Sequence, residues 1–163
     1  MAIPIYLWLY EEEDKLIKGS VDVIGREGSI ELSGMQHDLF IQTDDTTGSL
    51  KGTRQHEAYT FEKLIDSASP RLYQALTSGK TLARAVFRFY RINTNGHEEA
   101  YFSTILEKVK VCHVVPVMFD TKDPDFEMYG HLEHVGLRYE KIRWHYTDGN
   151  IQHSDSWKDR KGA

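Results

Sequence analysis

The stretch LARAVFRFYRINTNGHEEAYFSTILEKVKVCH, residues 82–113, decides the fold. Ala85, Phe87 and Phe89 alternate with Arg84, Val86, Arg88 and Tyr90, which gives a strand one apolar face and one mixed face. Farther along, Phe102, Thr104 and Leu106 share one parity while Ile105, Val109 and Val111 share the other, so this strand is expected to be covered on both sides over part of its length. Asn93-Thr94-Asn95-Gly96 lies between the two runs and carries the Asn-Gly signal for a tight reversal. Leu82 to Ile92 and Glu98 to His113 therefore read as a hairpin.

The pattern extends outward in both directions. Toward the C-terminus, Val135, Leu137 and Tyr139 set one parity and Ile142, Trp144 and Tyr146 the other, which predicts a bulge or bend at Glu140-Lys141. Asp148-Gly149 then marks a turn into a short strand from Ile151 to Trp157. Toward the N-terminus, strands are expected at Ile3 to Tyr10, Gly19 to Ile24, Ser29 to Leu32 with an irregular continuation to Ile41, and Ala58 to Leu64. A long loop, Thr43-Asp44-Asp45-Thr46-Thr47-Gly48-Ser49-Leu50-Lys51-Gly52-Thr53, separates the last two, and long ordered loops in small domains usually carry function. One helix is expected after Ser69 as N-cap and Pro70 at the first turn, with Leu72, Tyr73 and Leu76 at helical spacing and Gly79 as its stop.

The chain's 163 residues suffice for one domain, residues 1–163, with a real core. The class is mainly β: a curled barrel of two sheets with one α-helix packed on its side. A net charge of −5 and no basic run disfavour nucleic acid as a partner. The apolar start, Met1 to Tyr10, is short, contains Pro4 and runs into Glu11-Glu12-Glu13-Asp14, so neither a signal peptide nor membrane insertion is expected. Cys112, the only cysteine, permits no internal disulfide, and its strand neighbours suggest a buried apolar thiol pointing away from His113.

No catalytic constellation is present: the sequence has no nucleophile elbow, phosphate loop, dinucleotide fingerprint or H-E-x-x-H pair. His131 and His134 are three apart, which on a strand points them to opposite faces, and the Asp120, Asp123, Asp125 loop lacks the register of a calcium loop. No enzyme, metal or cofactor is expected. Trp8, Phe87, Phe89, Tyr101 and Trp144 read as core and sheet-packing residues.

The segments MAIPIYLWL (1–9), IKGSVDVIGREGSIEL (17–32), FEKLIDSASPRLYQALTSGKTL (61–82), FRFYRIN (87–93) and LRYEKIRWHYTDGNIQHSDSW (137–157) together resemble the haemolysin-coregulated protein (Hcp) family, the tube subunits of type VI secretion systems. The resemblance implies a homo-hexameric ring, stacking of rings into a hollow tube, a spike protein and contractile sheath as partners, and effector proteins carried in the lumen. It implies a protein that is cytoplasmic before firing and then secreted without a cleaved signal. By the same resemblance, the loop from Thr43 to Thr53 lies where stacked rings meet, and Gln36 faces the lumen. The chain ends six residues after Trp157, which leaves no room for the toxin domain fused to longer members. The rival reading is a phage tail-tube subunit, which builds stacked six-fold rings on a similar β framework. A monomeric ligand-binding barrel would need a closed apolar cavity.

Overall fold

The computed structural model of the chain describes residues 2–159; Met1 and residues 160–163 lie outside it. Eleven strands and one α-helix occur among the described residues: β1 (Ile5–Tyr10), β2 (Leu16–Ile17), β3 (Ile30–Gln36), β4 (Leu39–Thr43), β5 (Leu50–His56), β6 (Tyr59–Leu64), α1 (Ser69–Ser78), β7 (Leu82–Ile92), β8 (Glu98–Val117), β9 (Leu132–Arg138), β10 (Lys141–Tyr146) and β11 (Ile151–Ser156).

Every ladder is antiparallel, and β8, β7, β1, β3, β6 and β9 pair in succession before β9 returns to β8, so the main sheet closes on itself. Closure is possible because β8 is 20 residues long and gives one edge to two partners: its first half pairs with β10 and its second with β9. Beyond the ring, β10 carries β11, and β4 with β5 forms a separate two-stranded sheet.

The parity steps of the sequence have one cause. Burial switches face between Leu82 and Ala85 in β7, between Leu106 and Val109 in β8, and between Tyr139 and Ile142 across the β9–β10 break. The β7–β8 register runs unshifted through this level, and Lys108 takes a left-handed φ of 51°. All three strands therefore bend along one line, and the sheet folds over instead of gaining a residue in one strand. The expected bend falls at Tyr139-Glu140. The expectation that β8 is covered on both faces fails for the same reason: Leu106, Val109 and Val111 all reach one interior after the bend, with Leu7, Ile30, Phe87, Leu137 and Ile142.

Helix α1 covers this interior with Leu72 and Ala75, both buried. Gly79 ends it at φ 66°, and the Lys80 N–H reaches back to the Ala75 carbonyl at 3.1 Å. Ser69 is not the cap; Ala68 takes that place. The Ser69 hydroxyl is instead held inside, donating to Glu133 at 2.8 Å and accepting from Lys63 Nζ at 3.0 Å.

Other expectations are corrected. Residues 19–24 form no strand: Gly19 N–H bonds to the Gly28 carbonyl and Gly28 N–H to the Val21 carbonyl, both at 2.9 Å, so the segment curls on itself. A Cβ on Gly19 would lie 2.2 Å from the Ser29 carbonyl oxygen, an approach only glycine allows. Cys112 is exposed, and a shift in the β8–β9 register between Val111 and His113 brings its Sγ to 3.7 Å from His113 Nδ1. The central ring closes on itself, which leaves one-sided strand edges at β2, β11 and the β4–β5 hairpin among the described residues.

Candidate assembly surface

The segment Thr43 to Thr53 is not the long loop expected from its composition; most of it is the end of a hairpin. Thr43 pairs with Leu50 and Gln42 with Lys51, leaving residues 44–49 as the turn. Its Asp, Thr and Gly content serves that turn. The Asp44 carboxylate accepts from the Thr46 and Thr47 N–H groups at 2.8 and 3.3 Å, and Gly48 adopts φ 69°. Lys51 Nζ lies 3.0 Å from Asp44, and this contact, followed by the two backbone donors, holds the Asp44 carboxyl below its ordinary pKa. Leu50 stays 63% exposed at the end of the hairpin, an apolar side chain with no wall of its own chain to face.

The root of this arm is built differently. Arg54 grips Asp155 of β11 with Nε at 2.5 Å and a terminal nitrogen at 2.7 Å, and also donates to the carbonyls of Ser156, at 3.0 Å, and Asp159. His56 Nε2 lies 2.8 Å from the same carboxylate, its Nδ1 lies 2.6 Å from the Tyr139 hydroxyl, and His37 Nε2 lies 2.9 Å from that hydroxyl. One proton arrangement satisfies all three contacts with both rings neutral: His37 donates to Tyr139, Tyr139 donates to His56, and His56 donates to Asp155. Burial first, then the neighbouring His56, lowers the His37 pKa to about 4. The Arg54 hydrogen bond is the main cause lowering Asp155 to about 2, while burial raises the Tyr139 hydroxyl. Trp157 stacks on the outer side of His56 with ring centroids 5.4 Å apart.

Gln36 is not brought together with the turn. It is the last residue of β3, in a cross-strand row with Thr60, whose hydroxyl donates to the Gln36 carbonyl at 2.9 Å. Its side chain is exposed on the outer face of β3, β6 and β9, beside a shallow hollow of about 240 Å³ that Glu62 and His134 also line. Sequence reading missed Arg54, His56, Tyr139 and Asp155 as a unit. The available signal was slight: Asp155 lies in a short strand before a tryptophan, and Tyr139 sits at the parity step.

Among the described residues no group of three or more His, Cys, Asp or Glu side chains could hold a metal ion, and no helix is long and apolar enough to cross a membrane. The aromatic residues on the outside of β1 lie beneath cations: Arg88 over Trp8 at 4.7 Å, Arg84 over Tyr10 at 4.1 Å and Arg26 over Tyr6 at 4.7 Å. Trp8 keeps only 8% exposure although it points away from the core.

Comparison with known proteins gives these surfaces a context. A family model described as "Type VI secretion system effector, Hcp" matches residues 6–146. The "Major exported protein" of Pseudomonas aeruginosa PAO1 is 30% identical over 167 aligned positions, covering 97% of each chain. The solved structure of the Hcp1 protein from the E. coli EAEC 042 pathovar is 54% identical, covers 96% of this chain and 99% of its own, and superposes with a TM-score of 0.86. Secreted protein Hcp3 from Pseudomonas aeruginosa superposes at 0.74 with 25% identity, covering 95% of this chain and 98% of its own. This chain belongs to the Hcp family of type VI secretion system proteins.

Proposed function

We propose that this chain is the repeating subunit of a type VI secretion tube: six copies close into a ring, rings stack, and effector proteins are carried in the channel they enclose. The observation that carries this reading is the anchored arm. A hairpin with exposed, uncovered residues is fixed by the Arg54–Asp155 grip to the last strand of a closed sheet, an arrangement that offers backbone edges to a second copy without loosening the core. The turn at residues 44–49 meets the next ring, and Gln36 faces the channel.

The name of the Pseudomonas aeruginosa relative, a major exported protein, supports release from the cell. The subunit waits in the cytoplasm, leaves without a cleaved N-terminal signal, and meets a spike protein and a contractile sheath as partners. Its work is mechanical, with no cofactor, no nucleic acid and no catalysis, and residues 1–163 act as one domain.

Native mass spectrometry tests this directly. A species near six times 18.9 kDa is expected at micromolar concentration. A chain that remains monomeric there overturns the reading, and appearance in capsid-bearing tails rather than in culture medium would assign it to phage instead.

A further inference from the structure

Lys108, Lys110, Arg138 and Lys158 surround an open cavity of about 660 Å³ with Tyr139 and Trp157 in its wall and Glu140 as its single carboxylate. It opens where β8 passes from β10 to β9. Glu140 is shared between two lysines, with Lys158 Nζ at 3.1 Å and Lys108 Nζ at 3.6 Å, and those contacts, Lys158 foremost, hold its pKa low. Arg138 donates to the His56 carbonyl at 2.9 Å and lies 3.9 Å from Glu57, while Lys110 has no ion-pair partner among the described residues. Trp157, under the Arg138 guanidinium, is left 41% exposed. A cationic rim around an exposed indole suits a partner that is acidic and apolar together.

Such a segment lies between β8 and β9. Residues 120–127 hold Asp120, Asp123, Asp125 and Glu127 against the one cation Lys122. The Asp120 and Asp123 carboxylates accept from the Lys122 and Asp125 N–H groups at 2.9 and 3.0 Å, which shapes the loop, and none of the four is in an ion pair among the described residues. Phe119 and Phe126 stack with centroids 4.8 Å apart and Tyr129 packs 5.1 Å from Phe119, so the loop is a stiff knob. Met128 is 97% exposed and Tyr129 53%. The other acidic run, residues 11–14, is engaged at both ends, with Glu11 at 3.5 Å from Lys80 and Asp14 at 3.1 Å from Arg84.

The knob cannot reach the cavity of its own chain. Lys110 and Val117 lie on one strand, so the loop begins about 20 Å beyond the socket at the rise of extended chain. A knob of one copy in the socket of another is a head-to-tail contact, the kind that propagates into rings or stacks.

We propose that the acidic, aromatic loop 118–131 docks into the cationic cavity around Lys108 and Lys110 of a second copy of this chain. The inference rests on the tube-subunit reading and adds which two surfaces meet. The test compares four proteins by sedimentation and native mass spectrometry across a concentration series: wild type, Lys108→Glu with Lys110→Glu, Asp125→Lys with Glu127→Lys, and the four substitutions combined. All four side chains are exposed, and the Asp123 turn is left intact. Each reversed pair is expected to raise the concentration for half-assembly by about tenfold or more, and the combined variant to recover most of it. If a reversed pair unfolds by circular dichroism, Lys110→Gln and Glu127→Gln replace it with a smaller shift in the same direction. Reversed or neutralised variants that assemble like an assembling wild type overturn the docking alone, as does a combined variant no better than the worse pair. A monomeric wild type overturns the tube-subunit reading and the docking together.

Discussion

Arg54 and Asp155, separated by 101 residues of sequence, meet in a two-pronged ion pair at 2.5 and 2.7 Å. This contact fastens the arm to the strand that ends the main sheet, and the His37, Tyr139 and His56 side chains complete the joint. Arg54→Ala removes both prongs and the bonds to the Ser156 and Asp159 carbonyls. Amide exchange in β4 and β5 is then expected to accelerate by about tenfold or more while β1 and β7 are unchanged, because the loss is local. Equal acceleration everywhere would show that the joint supports the whole fold instead.

The joint is sensitive to acid in a defined order. His37 has a folded pKa of about 4 against an ordinary 6.5, so its neutral form is favoured in the native state. Its contribution is complete above pH 6.5, declines as pH falls from there through 4, and is level below; the span corresponds to at most about 3 kcal/mol. Asp155, with a folded pKa of about 2 against 3.8, adds a second decline as pH falls from 3.8 toward 2. Urea unfolding at intervals from pH 7 to 3 should show the first decline in wild type and a flatter curve in His37→Gln. Parallel curves would count against the His37 assignment.

Lys63 and Glu133 are 0% and 1% exposed, with Nζ and Oε2 2.7 Å apart. Asp66 and the Leu64 carbonyl, each at 2.9 Å from the same ammonium, and the Ser69 hydroxyl are further partners. Glu133→Ala takes one member from this buried set and is expected to cost about 3–5 kcal/mol in chemical denaturation. Lys63→Met combined with Glu133→Leu should cost less, since the one carboxylate then left without its ammonium is Asp66, which is 12% exposed and keeps the Ala68 N–H at 3.0 Å. A double variant worse than the single one would reject that account.

At the far end of the arm, replacing Thr46-Thr47-Gly48-Ser49 with a two-residue turn shortens the hairpin without touching Arg54. Ring mass should be retained and tubes seen by electron microscopy should become shorter and fewer. Tubes of undiminished length would detach the turn from stacking.

Gln36→Trp places a bulky ring on the outer face of β3. If that face lines the channel, ring mass is unchanged and effector co-purification falls by at least about half, an effect of excluded volume rather than of folding. Unaltered co-purification removes Gln36 from the channel.

Much of the framework could be read from periodicity. The β7–β8 hairpin, the turn at Asn93 to Gly96, the helix from Ser69 to Ser78 and, one residue off, the bend expected at Glu140-Lys141 all follow from local spacing and turn residues. What failed was non-local. Val21 and Val23 alternate as a strand would, but the close approach of Gly19 to Ser29 leaves them no sheet to join. Cys112 follows buried Val109 and Val111 in alternation and so faces outward, and the register shift beyond Val111 brings it beside His113 instead of opposing it. The Asp/Thr/Gly run reads as a loop rather than as the tip of paired strands, because β4 and β5 carry little alternation. The Arg54 joint was invisible for a simpler reason: its members come from four separate parts of the chain, and only closure of the sheet makes them neighbours.

β8 has one further consequence. Because a single uninterrupted backbone forms part of both walls, force delivered to one wall travels to the other through covalent bonds, and the two cannot slide apart without shearing the β8–β7 and β8–β9 ladders at once. Under a sudden axial thrust, such a subunit transmits load as a stitched shell rather than as two plates held face to face.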